Sequence, residues 1–207
     1  VPKCISECGG IRIFGRRIKS LVFSTDVAII KNVNADAIIA VYPFTPQPSI
    51  TQAIISVSEV PVFVGVGGGM PNGDRSVRLA EFSEHQGASG VVVNAPISNE
   101  TIAKMKAVVD IPVVTTIVSG DMDIAGRLAA GADILNVSGA SRTPEIVTKI
   151  RAEFPTVPII ATGGPREEDI LRTIEAGANA ITYTPPTTGQ LFADIMISHR
   201  KNFSHQD

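Results

Sequence analysis

The segment Val157-Pro-Ile-Ile-Ala-Thr-Gly-Gly-Pro165 is a short apolar run that opens on a proline and closes on a glycine pair. After an amphipathic stretch comes a second apolar run, Gly177-Ala-Asn-Ala-Ile-Thr-Tyr-Thr184. Proline is tolerated as the first residue of a strand, and glycine before a strand fits the end of a helix. The order strand, glycine turn, helix, strand is typical of parallel α/β structure.

Both kinds of strand start recur along the chain. An aliphatic residue and proline occur at 60–61, 111–112 and 157–158, and a small-residue turn occurs at 34–36, 87–89, 131–133 and 177–179. Each pattern returns at intervals of roughly 45–50 residues, about two β-α units. The alternation is therefore a two-unit repeat used four times, which predicts eight strands.

The predicted strands are near-continuous apolar runs, as expected for parallel strands buried on both faces. They are Leu21–Ser24, Ala37–Tyr42, Val62–Val66, Gly90–Asn94, Val113–Ile117, Ile134–Ser138, Ile159–Thr162 and Ala180–Thr184. Amphipathic stretches between them, such as 98–109 and 166–176, predict helices. Eight regular units without a break in composition favour an α/β fold with one closed (β/α)8 TIM barrel over residues 1–207. The alternative is a doubly wound open sheet.

Two terminal segments lie outside the repeat. Residues 1–20 are broken by glycines and predict a small hairpin or an irregular cap over one end of the barrel. The polar tail 200–207 is expected to fray.

The composition excludes several classes of protein. Apolar residues make up 44% of the chain and charged residues 18%, so a large core can form. The net charge of −2 gives no field that would attract nucleic acid or a membrane surface. No apolar run reaches the ~18–20 residues of a membrane span, and no signal-peptide pattern is visible. We therefore predict a cytoplasmic protein with a small, anionic ligand and no nucleic-acid partner unless it is a regulator; homo-oligomerisation is left open.

The cysteines and histidines do not predict a metal site. Cys4 and Cys8 form an isolated Cys-x3-Cys pair, whereas a structural zinc site needs four ligands, so two reduced thiols are expected. His85 falls within a predicted helix and is expected at the surface. We predict no metal and no cofactor, with FMN as the alternative.

Ligands of such barrels bind at the C-terminal ends of the strands, which are here rich in Gly, Ser, Thr and Asn and poor in charge. Hydroxyls, amides and free backbone N–H groups suit a phosphate or another oxyanion. The loops after the last two strands supply a predicted anion site, formed by Thr162, Gly163, Gly164, Thr184 and Thr187. A helix N-terminus after Gly164 would favour an anion there. The alternative is that these glycines only close tight turns.

Two further loops carry candidate binding residues. After the third strand, Gly67 and Gly68 predict a close approach of the backbone to the substrate, or a lid that moves near Asn72; the G-x-G-x-x-G spacing of a dinucleotide loop is absent. After the sixth strand lie Ser138 and Arg142. Arg142 is either an anion clamp or an ordinary solvated arginine.

Few residues at the strand ends suit acid–base catalysis. Asp26 and Asp74 are the candidate proton carriers; the alternatives are a helix cap for Asp26 and a solvated turn for Asp74. Asn94 and Asn136 complete the candidate catalytic set by orienting the substrate. Tyr42 either donates a proton or packs its ring over the barrel mouth. No Lys or His falls at a predicted strand end, which disfavours Schiff-base chemistry.

The second half of the chain resembles known barrels. The motifs are Ile111-Pro-Val-Val114, Ala130-Gly-Ala-Asp133, Ile159-Ile-Ala-Thr-Gly-Gly164 and Ala176-Gly-Ala-Asn-Ala180. With them the chain resembles the phosphate-binding (β/α)8 barrels of the ribulose-phosphate-binding group. It looks most similar to N-acylmannosamine-6-phosphate epimerases and glycerol-responsive antiterminators, and more remotely to FMN-dependent barrels. The resemblance implies that Gly163, Gly164, Thr184 and Thr187 bind a phosphate.

The sequence departs from that pattern in two ways. The epimerases use a lysine and an acidic residue inside the barrel, and no lysine here matches. Their strand-eight loop reads Gly-Ser or Gly-Thr, whereas this chain has Pro185 and Pro186, which remove two N–H donors. The anion site is therefore expected to depend on the loop after strand seven more than on the loop after strand eight.

The leading hypothesis is an enzyme, an isomerase/epimerase or a lyase, that acts on a phosphorylated or carboxylated metabolite. The competing class is a non-catalytic ligand sensor similar to the antiterminators, which the scarcity of acid–base residues favours. A hydrolase and an FMN-dependent oxidoreductase are further alternatives.

Overall fold

The computed structural model describes residues 1–203, which form a closed eight-stranded barrel preceded by a short hairpin. The strands are β1 (Ile11–Ile13), β2 (Arg16–Ile18), β3 (Ser20–Phe23), β4 (Ala37–Ala40), β5 (Val62–Gly67), β6 (Gly90–Val93), β7 (Val113–Ile117), β8 (Ile134–Val137), β9 (Ile159–Thr162) and β10 (Ala180–Tyr183). The helices are α1 (Val27–Asn32), α2 (Pro48–Val57), α3 (Asp74–His85), α4 (Asn99–Lys106), α5 (Ile124–Ala129), α6 (Thr143–Glu153), α7 (Glu167–Glu175) and α8 (Thr188–Phe203). Short 3₁₀ turns span Lys3–Glu7 and Ala140–Arg142.

The barrel strands β3 to β10 pair in parallel in chain order, and β10 pairs with β3 to close the ring. The closing register places Tyr183 opposite Val22. The predicted (β/α)8 barrel is therefore confirmed, and the doubly wound alternative is wrong because an open sheet would leave β3 and β10 as unpaired edges. All eight predicted strands are present, with ends within two residues of those expected.

Several helices begin at the residues that local chemistry favours. The Ser98 hydroxyl accepts a hydrogen bond from the Thr101 N–H (3.1 Å) at the start of α4, and Asp123 accepts one from Gly126 (2.8 Å) at the start of α5. Pro144 lies in the first turn of α6, where proline costs no hydrogen bond. These starts explain why helices follow the strands after such short loops.

The repeated small-residue turn has a second role at the N-terminal end of the barrel. Asp133 and Asn179, which end two of these turns, accept hydrogen bonds from the N–H groups of Val113 (2.8 Å) and Ile159 (2.9 Å). Asp36 does the same for the N–H of Ser20 (3.0 Å). In each case a polar side chain before one strand satisfies a backbone donor at the start of a neighbouring strand. The two-unit repeat in the sequence is therefore a repeated device that sets strand positions.

The hairpin closes the N-terminal end of the barrel. Ile11, Ile13 and Ile18 are buried and pack with the inward-facing Leu21 and Phe63. The hairpin expected within residues 1–20 is thus present, and it acts as an apolar plug. The opposite end, where the strands finish, stays open for a ligand.

The start of the chain occupies the place on the barrel wall that the last helix of a (β/α)8 barrel would fill. Cys4, Ile5 and Cys8 are buried in a cluster with Ile170 and Ile181, on the outer side of β10 where an eighth helix would pack. Helix α8 lies away from the barrel wall, and its residues from Thr188 to Lys201 are exposed apart from the half-buried Met196. Of the tail 200–207 that is expected to fray, residues 200–203 continue α8, and the rest lies outside the described residues.

Three smaller expectations concern single residues or segments. Cys4 and Cys8 are free thiols, and burial raises the pKa of Cys8 to about 11. His85 is exposed, as expected, but it is the last residue of α3 and not a central one. Within residues 1–203, no helix has the length and apolar character that crossing a membrane requires.

Candidate functional site

A cavity of about 700 Å³ opens at the C-terminal ends of the barrel strands. One side of its wall is polar and carries amide and hydroxyl side chains from β6 to β10 and their loops: Asn94, Thr116, Asn136, Ser138, Thr162 and Thr182. The other side is apolar and comes from β3 to β5 and their loops: Phe23, Ile39, Val41, Tyr42, Phe44, Met70 and Pro71. We call these sets the polar arc and the apolar wall.

Strand register places the polar arc. Thr116 pairs with Asn136 across β7 and β8, and Thr162 pairs with Thr182 across β9 and β10. Residues in register on neighbouring strands point to the same face, so both pairs project into the barrel mouth. Asn94, in the loop after β6, extends the arc.

Hydrogen bonds orient side chains of the polar arc but do not use all of its polar atoms. The Asn136 amide N–H₂ donates to the Thr116 hydroxyl (3.3 Å), and the Thr162 hydroxyl donates to the Ser138 hydroxyl (3.3 Å). The Thr182 hydroxyl is buried and has no hydrogen-bond partner among the described residues. An unpaired buried hydroxyl costs roughly 1–3 kcal/mol, so this atom is a candidate ligand contact.

Exposed loops form the apolar wall. Phe44 is 69% exposed and Met70 is 77% exposed at the edge of the cavity. The Tyr42 hydroxyl oxygen accepts a hydrogen bond from the Gln47 N–H (2.8 Å), which fixes the loop after β4 and leaves the tyrosine proton to be donated elsewhere. Large exposed apolar side chains beside a cavity commonly mark a binding surface.

Tyr42 is the only titratable residue that lines this cavity within the described chain. The two predicted proton carriers lie elsewhere. Asp74 begins α3 and pairs with Lys104 at 3.2 Å, on the outside of the barrel. Asp26 lies in the loop after β3, outside the lining of the cavity.

Asp26 joins the N-termini of two helices. Its Oδ1 accepts from the N–H groups of Ala28 (3.0 Å) and Ile29 (3.3 Å) in α1. Its Oδ2 accepts from the Thr188 hydroxyl (2.5 Å) and the Thr188 N–H (3.3 Å) at the start of α8. The hydrogen bond from the Thr188 hydroxyl, ahead of those from the backbone, lowers the pKa of the Asp26 carboxyl. Asp26 therefore occupies the helix end at which an external anion would otherwise bind.

The predicted anion site is divided between several structural roles. Thr162, Gly164 and Thr184 line a second cavity of about 840 Å³, which shares Thr162 and Thr182 with the first. The Gly163 N–H donates to the Thr182 carbonyl (3.3 Å) and is not available to an anion. Thr187 caps α8, because its hydroxyl accepts from the Gln190 N–H (3.2 Å) while the Gln190 side chain accepts from the Thr187 N–H (2.8 Å).

The remaining predicted residues separate into lining and supporting positions. Gly67 and Ser138 line the main cavity. Gly68 has a φ of +84°, and a Cβ there would lie 2.5 Å from the Asn94 carbonyl oxygen, so only glycine lets the two loops pass. Arg142 ends a 3₁₀ turn, is exposed and lies outside the lining of both cavities, as a solvated arginine would.

Sequence reasoning missed several residues of the site. Thr116, Thr182 and Phe44 line the cavity but are not among the candidate residues predicted from the sequence. Alternation within the strands could have found the two threonines, because Val114 and Ala180 point inward two positions earlier. No sequence signal identified the apolar wall, which depends on how two loops fold over the mouth.

Comparisons with known proteins agree on the barrel. No protein-family model and no curated protein sequence matches the chain. Among solved structures, it is similar to 2,3-dimethylmalate lyase, described as a member of the PEP mutase/isocitrate lyase superfamily, with a TM-score of 0.68 and 13% identity over 98% of this chain and 85% of that chain. A phosphoenolpyruvate phosphomutase from Streptomyces platensis subsp. rosaceus gives a TM-score of 0.67 and 13% identity over 97% and 84%.

A third similar structure is phosphonopyruvate hydrolase in complex with oxalate and Mg²⁺, with a TM-score of 0.65 and 15% identity over 91% of this chain and 82% of that one. At these identities the likeness shows the fold. In residues 1–203 no group of three or more His, Cys, Asp or Glu side chains could hold a metal ion. The cavity lining offers amides and hydroxyls where Mg²⁺ prefers carboxylates, so these residues do not fit a magnesium site of that kind.

Proposed function

We propose that the barrel mouth binds a small carboxylate-bearing metabolite with an apolar part, and that the protein acts on it as a lyase or isomerase. The observation that carries the proposal is the division of one cavity into a polar arc and an apolar wall. The arc would hold the carboxylate or carbonyl oxygens, and the wall would hold the rest of the molecule. Three structural neighbours that are enzymes of small phosphorylated or carboxylated compounds support this class.

The charge of the site favours a carboxylate over a phosphate monoester. No Lys, Arg or His lines the main cavity within the described chain. The N-terminus of α8 is occupied by Asp26, and Gly163 and Thr187 have structural roles. A phosphate dianion would therefore meet neutral donors alone, whereas a single carboxylate charge needs fewer compensating groups.

Neutral donors suit a reaction in which negative charge develops on a substrate oxygen. Departure of a carboxylate group as CO₂ next to a carbonyl leaves the electron pair of the broken C–C bond on the carbonyl oxygen, where the Asn94 and Asn136 amides would stabilise it. The Tyr42 hydroxyl would then protonate the resulting carbanion and recover its own proton from water. Asp26 and Asp74 have no part in this scheme, because neither lines the cavity.

A non-catalytic ligand sensor is the second candidate. It is favoured by the presence of Tyr42 as the single titratable lining residue in the described chain. Both candidates use the same binding site, so measured turnover separates them. The proposal includes no bound cofactor; visible flavin absorbance in the purified protein would instead support FMN. The likeness to epimerases and antiterminators stays a prediction.

The binding proposal is tested by thermal denaturation with a ligand panel. The panel contains oxalate, short branched dicarboxylates, inorganic phosphate, glycerol phosphate and sugar phosphates. We expect the branched carboxylates to raise the melting temperature most, since a ligand at 100 times its dissociation constant adds about 2.7 kcal/mol. Stabilisation by phosphate compounds alone would overturn the carboxylate preference, and stabilisation by none would overturn the site.

A matched pair of variants locates the effect. Thr182 and Thr115 both have buried hydroxyls without a partner among the described residues, but only Thr182 lines the cavity. Thr182→Val should weaken the apparent affinity for the ligand at least tenfold, equivalent to about 1.4 kcal/mol, and should reduce the ligand-induced shift in melting temperature accordingly. Thr115→Val should leave it unchanged. Equal effects of the two substitutions would show that the ligand binds elsewhere.

A further inference from the structure

Arg127, on α5, is a buried arginine whose side chain binds the loop between β6 and α4. The residue is 9% exposed, and its Nη2 donates to the Ala95 carbonyl (2.8 Å). Its Nη1 donates to the Ile97 carbonyl and to Asn99 Oδ1 (3.0 Å). Burial lowers the pKa of the Arg127 guanidinium, and the nearby Asp123 carboxylate offsets this only in part. The hydrogen bonds to the loop therefore take the place of the water that this charge has lost.

This loop carries Asn94 into the main cavity and sets the orientation of its amide. Asn94 Oδ1 accepts a hydrogen bond from the Ala95 N–H (2.8 Å), and an N–H group can donate only to the oxygen of an amide. Both hydrogens of the Asn94 Nδ2 group remain available, since this group has no acceptor among the described residues. Because Asn94 lines the cavity, these hydrogens can be donated to an oxygen of the ligand.

Ala95 connects Arg127 with Asn94. Its N–H binds the Asn94 side chain, and its carbonyl binds Arg127. Pro96 has no N–H and adds no backbone donor that would hold this part of the loop. The backbone of Asn94 is held separately, because its N–H donates to the Gly67 carbonyl (2.9 Å). Loss of Arg127 should therefore leave Asn94 at the cavity but allow its side chain to turn.

We propose that Arg127 is a positioning residue of the main cavity: it holds Ala95 in place and thereby keeps the Asn94 amide hydrogens directed at the bound carboxylate. The inference rests on the proposed function, since it needs a carboxylate ligand in that cavity. Arg127 lines neither cavity, so it acts on the ligand through the loop. A lysine could replace the charge but not the planar guanidinium, which donates to three acceptors at once.

Arg151, on α6, is a matched control at the opposite end of the barrel. Its guanidinium donates to the carbonyls of Val157 (2.8 Å) and Gly177 (2.7 Å), and burial lowers its pKa as well. Arg127→Met and Arg151→Met each remove a set of hydrogen bonds to the backbone, so both should lower the melting temperature. Only Arg127→Met should affect Asn94.

The first measurement needs no ligand. In ¹H–¹⁵N NMR spectra, the side-chain amide signal of Asn94, assigned from its loss in Asn94→Asp, should shift or broaden in Arg127→Met and stay in place in Arg151→Met. An unchanged Asn94 signal in folded Arg127→Met overturns the inference whether or not the proposed function holds. If Arg127→Met does not fold, Arg127→Lys, which keeps a charge and a donor, provides the same comparison.

The second measurement is calorimetric titration with dimethylmalonate, a short branched dicarboxylate. Arg127→Met should weaken binding at least about tenfold and Arg151→Met less than about twofold, and Arg127→Met should add nothing in an Asn94→Ala background. Unchanged binding by Arg127→Met, equal losses for the two arginines, or additive losses for Arg127→Met and Asn94→Ala overturn the inference and leave the proposed function intact. A wild type that binds no carboxylate of the panel overturns the proposed function, and the inference with it.

Discussion

The Asp26 carboxylate and the Thr188 hydroxyl, 162 positions apart in the chain, meet in a hydrogen bond of 2.5 Å. The first loop of the barrel is thereby joined to the last helix at the place where the ring of strands closes. Because Asp26 also caps α1, one side chain serves two helix starts. Asp26 is thus a structural residue beside the site, and its replacement should affect the free energy of unfolding more than it affects ligand affinity.

Asp26→Ala should lower the free energy of unfolding by about 1–2 kcal/mol, since it removes a helix cap and leaves Thr188 without its acceptor. Asp26→Asn should cost less, because an amide oxygen can still cap α1. Urea denaturation measures both. A double-mutant cycle with Thr188→Val should show coupling for Asp26→Ala; additive effects would argue against the bond.

The same residue predicts a pH dependence. The Thr188 hydroxyl lowers the folded-state pKa of Asp26 below its ordinary value of 3.8. A lowered folded-state pKa means that the stabilisation is present above that ordinary value and is lost as pH falls through the folded-state pKa. The stability difference between wild type and Asp26→Asn should therefore shrink as pH drops below about 4. A difference that stays constant down to acid unfolding would contradict this role.

Asp133 should matter more for stability than other acidic residues with a lysine partner. It accepts from the Val113 N–H and pairs with Lys106 at 2.9 Å, so Asp133→Ala leaves a backbone donor without its partner. The expected loss in unfolding free energy is about 1–3 kcal/mol. Asp121→Ala, which removes an exposed pair with Lys149, should cost at most about 1 kcal/mol. Equal losses in urea denaturation would show that Asp133 does not set the position of β7.

The apolar wall should determine which ligands bind. Phe44→Ala should weaken binding of branched carboxylates at least about fivefold, because the ligand loses roughly 1 kcal/mol of apolar contact. Binding of oxalate, which has no apolar part, should hardly change. Calorimetric titration with both ligands measures the difference, and Phe82→Ala controls for loss of an exposed ring elsewhere. An equal loss of affinity for both ligands would place Phe44 at the polar end of the ligand.

Tyr42 separates enzyme from sensor. If the protein is an enzyme, Tyr42→Phe should lower kcat by about 100- to 10,000-fold, the usual contribution of a general acid, with little change in ligand affinity. Tyr183→Phe, in the lining of the second cavity only, should leave kcat unchanged. Turnover that survives in Tyr42→Phe would remove Tyr42 from the mechanism, and wild-type binding without any turnover would favour the sensor.

The barrel could be predicted from the sequence because its causes are local. Proline before one strand and a glycine turn before the next recur at a regular interval, and each marks a strand start whatever the rest of the chain does. Positions on the rim could be predicted for the same reason: Asn94, Asn136 and Ser138 follow or end predicted strands and do line the cavity.

The roles of the loop residues could not be predicted, because they depend on partners distant in sequence. Thr187 fits a phosphate loop by position, yet Gln190 makes it a helix cap. The position of Asp26 suits a proton carrier, but its hydrogen bond with Thr188 gives it a structural role. The position of α8 away from the barrel wall could not be predicted either, because the apolar residues of a helix do not indicate which surface the helix packs against.

The side chains that set the strand positions, Asp36, Asp133 and Asn179, all lie at the N-terminal end of the barrel, opposite the cavity. The side chains that hold the strand starts in place thus stand apart from the candidate binding site. We expect substitutions among the residues that line the mouth to change specificity while the strand register is preserved, which is the division of tasks that directed evolution of a scaffold requires.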